Sequence, residues 1–246
     1  MEKKNKKTPS FIRYAVKANQ LQEITVTLLK LMNIALERRL GYEKLLLTFK
    51  KIKKINRKTR KIIKKIEEKN KFIEKVCREY RKQESNILAM LFVEHVNAFT
   101  FFLSDLLLEI FLKKPTLIGN KEIKLQELIN KSNITDVIEE VAELAVVNYM
   151  HQGLKNISQL FDKKLGIKIY RGDKEFERIF IAVEIRNLLV HNNGIINRKF
   201  LQKTKLSLKR GNKIKIKEDY LMKTADLLFN TAIYIDQQVK QKFLKP

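Results

Sequence analysis

At 246 residues with 44% hydrophobic side chains, the chain is long enough for one large domain or two small ones and apolar enough to bury a core. Only 7 Gly and 3 Pro interrupt it, so the composition points to a mostly helical protein, and the single Cys77 excludes an internal disulfide or a thiolate metal site of its own. A net charge of +25 favours a polyanionic partner, RNA or DNA first and an anionic membrane surface second.

The charge is uneven: residues 1–84 hold 26 Lys and Arg against 9 Asp and Glu, and the remainder 26 against 18. We therefore expect a basic helical section over 1–84, disordered over 1–10, followed by a helical domain over 85–246. The opening MEKKNKKTPS is charged with no apolar run behind it, so no secretory signal is expected and the protein is read as cytoplasmic. Leu21, Ile24, Leu28, Leu31 and Ala35 alternate in steps of three and four, which predicts a helix from Gln20 to Arg39 ended by Gly41. A long basic amphipathic helix follows over 44–84, with Ile52, Ile55, Ile62, Ile63, Ile66, Ile73 and Val76 on its stripe and a kink near Asn56 to Thr59. Its cations, Lys50, Lys51, Lys53, Lys54, Arg57 and Lys58 among them, suit phosphate contacts along RNA. They suit equally a solvated helix face, or a helix lying on anionic lipid, although aromatic residues are sparse there.

The most apolar stretch, Ile87 to Leu112, carries Glu94, His95, Asn97, Ser104, Asp105 and Glu109, which a bilayer would tolerate poorly. We expect a buried amphipathic helix there, closed by Lys113, Lys114 and Pro115, and no membrane partner. Glu94 and Asp105 lie eleven residues apart on one face and could support a site or form a polar seam. Shorter helices are predicted over Leu125 to Asn130, Asp136 to Gly153 and Ile157 to Gly166, with Gly153 and Gly166 as C-terminal stops. His151, beside Gly153, reads as a helix cap. Asp173 reads as the N-cap of a helix from Lys174 to His191. Beyond it, KLSLKRGNKIKIK alternates around Arg-Gly-Asn and predicts a short β-hairpin near residues 205–217. A last helix is predicted from Glu218 to Phe243.

The candidate chemistry sits at the end of the helix before that hairpin, in EIRNLLVHNNGIINRKF. Asn187 and His191 are four residues apart and Glu184 and His191 seven, so all three share one helix face, and the long Arg186 side chain can reach round to it. Asn192, Asn193 and Gly194 tolerate a left-handed turn, which places the histidine at an exposed helix end. Histidine is the side chain suited to exchange protons near neutral pH. No histidine, cysteine and carboxylate spacing suggests a metal site, and no glycine-rich phosphate loop is present. No cofactor is therefore expected.

RNLLVH resembles the Arg-Asn-x-x-x-His signature of HEPN-superfamily ribonucleases, and its continuation HNNGIINRKFL is similar to HEPN proteins of toxin and abortive-infection systems. The helix FTFFLSDLLLEIF and the later IYIDQQV are also similar to that group, so the resemblance spans about residues 85–246. It implies an all-α, HEPN-like helical bundle that forms a homodimer with a composite active site. It further implies a metal-independent endoribonuclease acting as a toxin or anti-phage defence effector, with an antitoxin or regulatory protein as a possible partner. In that reading His191 is the general acid or base, Arg186 stabilises charge on the transition state, and Asn187 orients phosphate or ring. Glu184 would orient His191 or join the dimer interface. Asn193 stands where some HEPN toxins carry a tyrosine that a partner nucleotidyltransferase modifies, which argues against that control here. The alternative is a catalytically inactive RNA-binding or adaptor protein that uses the basic helices.

Overall fold

The computed structural model describes residues 7–52, 54–119 and 133–243, so the helix expected over Leu125 to Asn130, and Lys53, lie outside the described residues. Among the described residues the fold is all-α: α1 (Pro9–Lys50), α2 (Arg57–Lys113), α3 (Ile134–His151), α4 (Leu154–Lys163), α5 (Asp173–Asn192), α6 (Arg198–Thr204) and α7 (Glu218–Phe243). A 3₁₀ turn, Pro115–Ile118, follows α2 with proline at its start. The chain divides into two compact units, one formed by the described parts of Met1–Asn19 and Phe92–Pro246, the other by Gln20–Leu91. The boundary expected near residue 84 falls inside α2, which runs unbroken from one unit into the other.

The first unit is built around the apolar half of α2. Phe92, Val96, Phe99, Leu103, Leu106 and Ile110 recur at steps of three and four, and each is 1% exposed or less. This stretch is the one described segment long and apolar enough to cross a membrane, yet here it supplies the protein's own core. Helices α3 and α4, α4 and α5, α5 and α6, and α5 and α7 pack in pairs about it. They add Ala145 and Val146, Phe161, Ile179, Ile185 and Leu188, and Leu228, Ala232 and Ile235 to the interior. The start of α1 belongs to the same core. Phe11 and Tyr14 meet Phe102 and Phe229 with ring centroids 5.1–6.3 Å apart, and burial pushes the Tyr14 phenol well above its ordinary pKa.

Four sequence expectations need correction. Disorder over 1–10 does not hold for residues 7–10: the Thr8 amide donates to Asp236 Oδ1 at 2.9 Å, Thr8 Oγ1 accepts from the Phe11 amide, and Ser10 Oγ donates to Glu109 Oε2 at 2.8 Å. A bond to a buried carboxylate is among the stronger hydrogen bonds and ties the segment to the core. Gly41 does not stop α1, which continues to Lys50: a glycine ends a helix by turning left-handed, and Gly41 does not. The break comes at residues 51–56 instead, where Asn56 Oδ1 accepts from the Thr59 amide and starts α2, so the single kinked basic helix is two helices. Asp173 is the first residue of α5 and Gly172 its cap, with Glu175 reaching back to the Arg171 amide at 2.6 Å.

The predicted hairpin is absent as well. Apart from one turn bond from the Asn212 amide to Lys209 O at 3.3 Å, residues 211–214 pair with the segment after α5. The Ile196 amide donates to Asn212 O, the Gly211 amide to Ile196 O, and the Ile214 amide to Gly194 O, all at 2.8–2.9 Å around an antiparallel bridge of Ile195 with Lys213. Lys205 in a left-handed conformation, φ 56°, turns the first arm away from the short helix α6, for which no element was predicted.

A cleft at the C-terminal end of helix α5

Helix α5 ends as its sequence suggests. Asn193 (φ 49°) and Gly194 (φ 74°) are both left-handed, and the Gly194 amide donates back to Leu188 O at 3.0 Å. A side chain at Gly194 would come within 3.2 Å of Leu189. Ile185 and Leu188 anchor the helix in the core, which leaves Arg186 and Asn187 half-buried and His191 exposed. The Asn192 amide group holds the carbonyl of Ile195, and Asn197 caps α6 through the Phe200 amide.

These elements enclose a cleft of about 560 Å³, a size that accommodates a small ligand or one nucleotide of a longer chain. Its polar walls carry Glu184, Arg186, Asn187, His191, Lys199 and Lys203. Arg186 is fixed from two sides: Nε donates to Asn97 Oδ1 at 2.7 Å and Nη1 to Asn187 Oδ1 at 3.0 Å. Asn97 is held in turn by Glu94, whose Oε1 accepts from Asn97 Nδ2 at 3.3 Å. The network commits two of the five guanidinium N–H groups and leaves the others for a ligand. Asn187 therefore holds the arginine, a contact beyond the orienting of phosphate or ring expected of it. Glu184 pairs with Lys203 at 2.7 Å and helps to hold α6 beside α5.

The structure thus brings Arg186, Asn187, His191 and Glu184 to one cleft, and Glu94 reaches it through Asn97. Asp105 does not join them. It pairs with Arg13 at 3.1 Å on a smaller hollow of about 290 Å³ that Tyr14, Lys17 and Phe101 help to line. Two residues were not assigned to the site from sequence. Asn97 sits on a separate helix 89 residues away, and its only local signal is its place three residues after Glu94. His151, read as a cap, instead lines the cleft, while Gln152 is the C-cap of α3.

His95 is buried at 5% exposure, and desolvation pushes its pKa down against the opposing pull of Asp226 and Glu94. Among the described residues no group of three or more histidine, cysteine or carboxylate side chains could hold a metal ion.

In the second unit Lys50, Lys51, Lys54, Arg57 and Lys58 are all exposed about the turn between α1 and α2. A further hollow there gathers Arg39, Arg78, Arg81 and Lys82 around Glu74. Four cations from two helices at one place is a feature that a charge count along the chain does not reveal. No protein-family model, no curated protein and no solved structure matches this chain.

Proposed function

We propose that the protein is a metal-independent endoribonuclease whose active site is the cleft at the end of α5, acting as a toxin or anti-phage defence effector in the cytoplasm. The observation that carries this reading is the fixed Arg186 guanidinium beside the exposed His191 in a cleft rimmed by Lys199 and Lys203. In RNA the 2′-hydroxyl attacks the adjacent phosphorus as the bond from phosphorus to the 5′-oxygen breaks, leaving a 2′,3′-cyclic phosphate and a 5′-hydroxyl. One group accepts the 2′ proton and another donates to the 5′-oxygen, each contributing roughly 10²–10⁴-fold. In this reading His191 does one of these, and Arg186 holds the charge that grows on the non-bridging oxygens. The Arg-Asn-x-x-x-His resemblance supports the same reading. It extends the reading to a HEPN-like bundle that pairs as a homodimer and is restrained by a partner protein until needed. Val147 and Val190, exposed on the helices that carry His151 and His191, suit a surface covered by a second subunit.

Purified protein incubated with total RNA in EDTA should produce cleaved ends bearing 2′,3′-cyclic phosphate, at a rate equal to that in magnesium. His191→Ala should abolish cleavage and leave the melting temperature unchanged, because the side chain is exposed. Activity lost on chelation and restored by a stoichiometric divalent ion would overturn the reading. RNA binding that weakens with salt, with no cleavage under any condition, would instead favour an RNA-binding or adaptor protein built on the basic helices.

A further inference from the structure

The chain has three histidines, and two of them, His151 and His191, line the same cleft. They arrive from different helices. His191 lies in the last turn of α5 and His151 is the last residue of α3. The turn carrying His151 is rigidly built: Gly153 is left-handed at φ 83°, its carbonyl accepts from the amides of Asn156 and Ile157 at 3.1 Å, and Leu154 and Ile157 are buried against the cleft wall. Helix α4, which begins at that turn, packs on α5. Both histidines are exposed, and among the described residues neither imidazole makes a hydrogen bond or an ion pair. A capping histidine would bond the carbonyls of its own helix end; His151 does not.

We propose that His151 is the second proton-transfer group of the site, so that a single protomer holds both the acid and the base that RNA transesterification needs. The inference rests on the ribonuclease reading of the cleft. Two imidazoles facing one scissile phosphate divide the work in a balanced way. The neutral imidazole takes the proton from the 2′-hydroxyl as the new bond to phosphorus forms, and the imidazolium gives its proton to the 5′-oxygen as that bond breaks. Cyclic ester and 5′-hydroxyl leave, with the two histidines in exchanged protonation states that solvent resets. The charged groups that share the cleft with the pair are Glu184, Arg186, Lys199 and Lys203. The three cations bind phosphate, and Glu184 is already engaged by Lys203.

The test is steady-state and single-turnover cleavage of a short RNA by wild type, His151→Ala, His151→Gln and His191→Ala across pH. Both His151 variants should lose roughly 10²–10⁴-fold in kcat with little change in KM, and should lose one limb of the bell-shaped pH profile. A substrate with sulfur in place of the bridging 5′-oxygen needs no protonation of its leaving group, so it should rescue the variants at one of the two histidines and not the other. An equimolar mixture of His151→Ala and His191→Ala proteins should stay inactive, because neither chain then contains an intact pair. The proposal is overturned if His151→Ala cleaves within about threefold of wild type, or loses rate while keeping both pH limbs. Restored activity in the mixture would overturn it too, by placing the two histidines on different chains. A wild-type protein that never cleaves RNA sinks the ribonuclease reading itself, an outcome distinct from an active wild type with an equally active His151→Ala.

Discussion

Arg186 shows how much of the site depends on orientation. Its guanidinium plane is set by Asn97 through Nε and by Asn187 through Nη1, so the remaining donors point in one direction before any ligand arrives. Arg186→Lys keeps the charge and loses both bonds and the planar fork. We expect it to behave nearly as badly as Arg186→Ala, with kcat down roughly 10²–10³-fold, the cost of removing a transition-state donor. Asn97→Ala should be milder. It releases one charged hydrogen bond, about 1.5–3 kcal/mol, and should slow single-turnover cleavage about tenfold to a hundredfold while RNA affinity holds. An Asn97→Ala enzyme as fast as wild type would show that the arginine is held by other means. His95 gives a second prediction at this scale. Burial depresses its folded pKa, so the unfolded chain takes up a proton that the folded chain refuses. That contribution to stability is complete above the unfolded value of about 6.5 and is lost as pH falls below it toward the depressed folded value. Urea unfolding between pH 7.5 and 5 should show this loss, and His95→Gln should flatten it.

At the scale of elements, the anchoring of the α1 start to α7 sets what holds the first unit closed. Asp236 has no exposed surface and accepts from the Thr8 amide, with Lys7 at 3.3 Å and Lys240 at 3.9 Å. Asp236→Ala strands these partners and should cost about 3 kcal/mol, the lower end for breaking a buried pair, since Lys7 is partly exposed. Asp236→Asn, which keeps an oxygen for the Thr8 amide, should cost less; equal losses would assign the stabilisation to charge alone. No sequence pattern announces this contact, because residues 8 and 236 meet only once the fold exists. Elements with a strong local signal were legible: α7 was predicted over the residues it occupies, and Asn193-Gly194 ends α5 as expected. Arg186, Asn187 and His191 were legible for the same reason: Asn187 and His191 share one face of a single helix, and Arg186 beside them is long enough to reach round to it. The hairpin was not. Alternation over 206–216 records which residues alternate, not which backbone they pair with, and here 194–196 supplies the partner. Asn97 and His151 were illegible as site residues because tertiary packing, not spacing, brings three separate helices to one cleft.

Over the whole molecule, the cleft and the densest positive charge lie in different stretches of chain. The cleft residues lie between 97 and 203, whereas residues 1–84 hold half of all Lys and Arg with a third of the Asp and Glu. Phosphate contacts bind without reading sequence and weaken steeply with salt, with a slope of about −0.7 per contact on single strands. The basic stretch should therefore supply affinity and leave the chemical step to the cleft. Changing Lys50, Lys51, Lys53, Lys54, Arg57 and Lys58 together to Gln should weaken RNA binding and make the plot of log affinity against log salt shallower. The slope should change by up to about 4 if every side chain meets a phosphate. The rate at saturating RNA should hold, because Arg186, Asn187 and His191 are untouched. Filter binding across a salt series and single-turnover cleavage at saturation separate the two quantities. A charge-neutralised protein with the original salt slope would free these residues from RNA. The hollow formed by Arg39, Arg78, Arg81 and Lys82 would then be the place to repeat the experiment, since its cations come from two helices and survive the first set of changes.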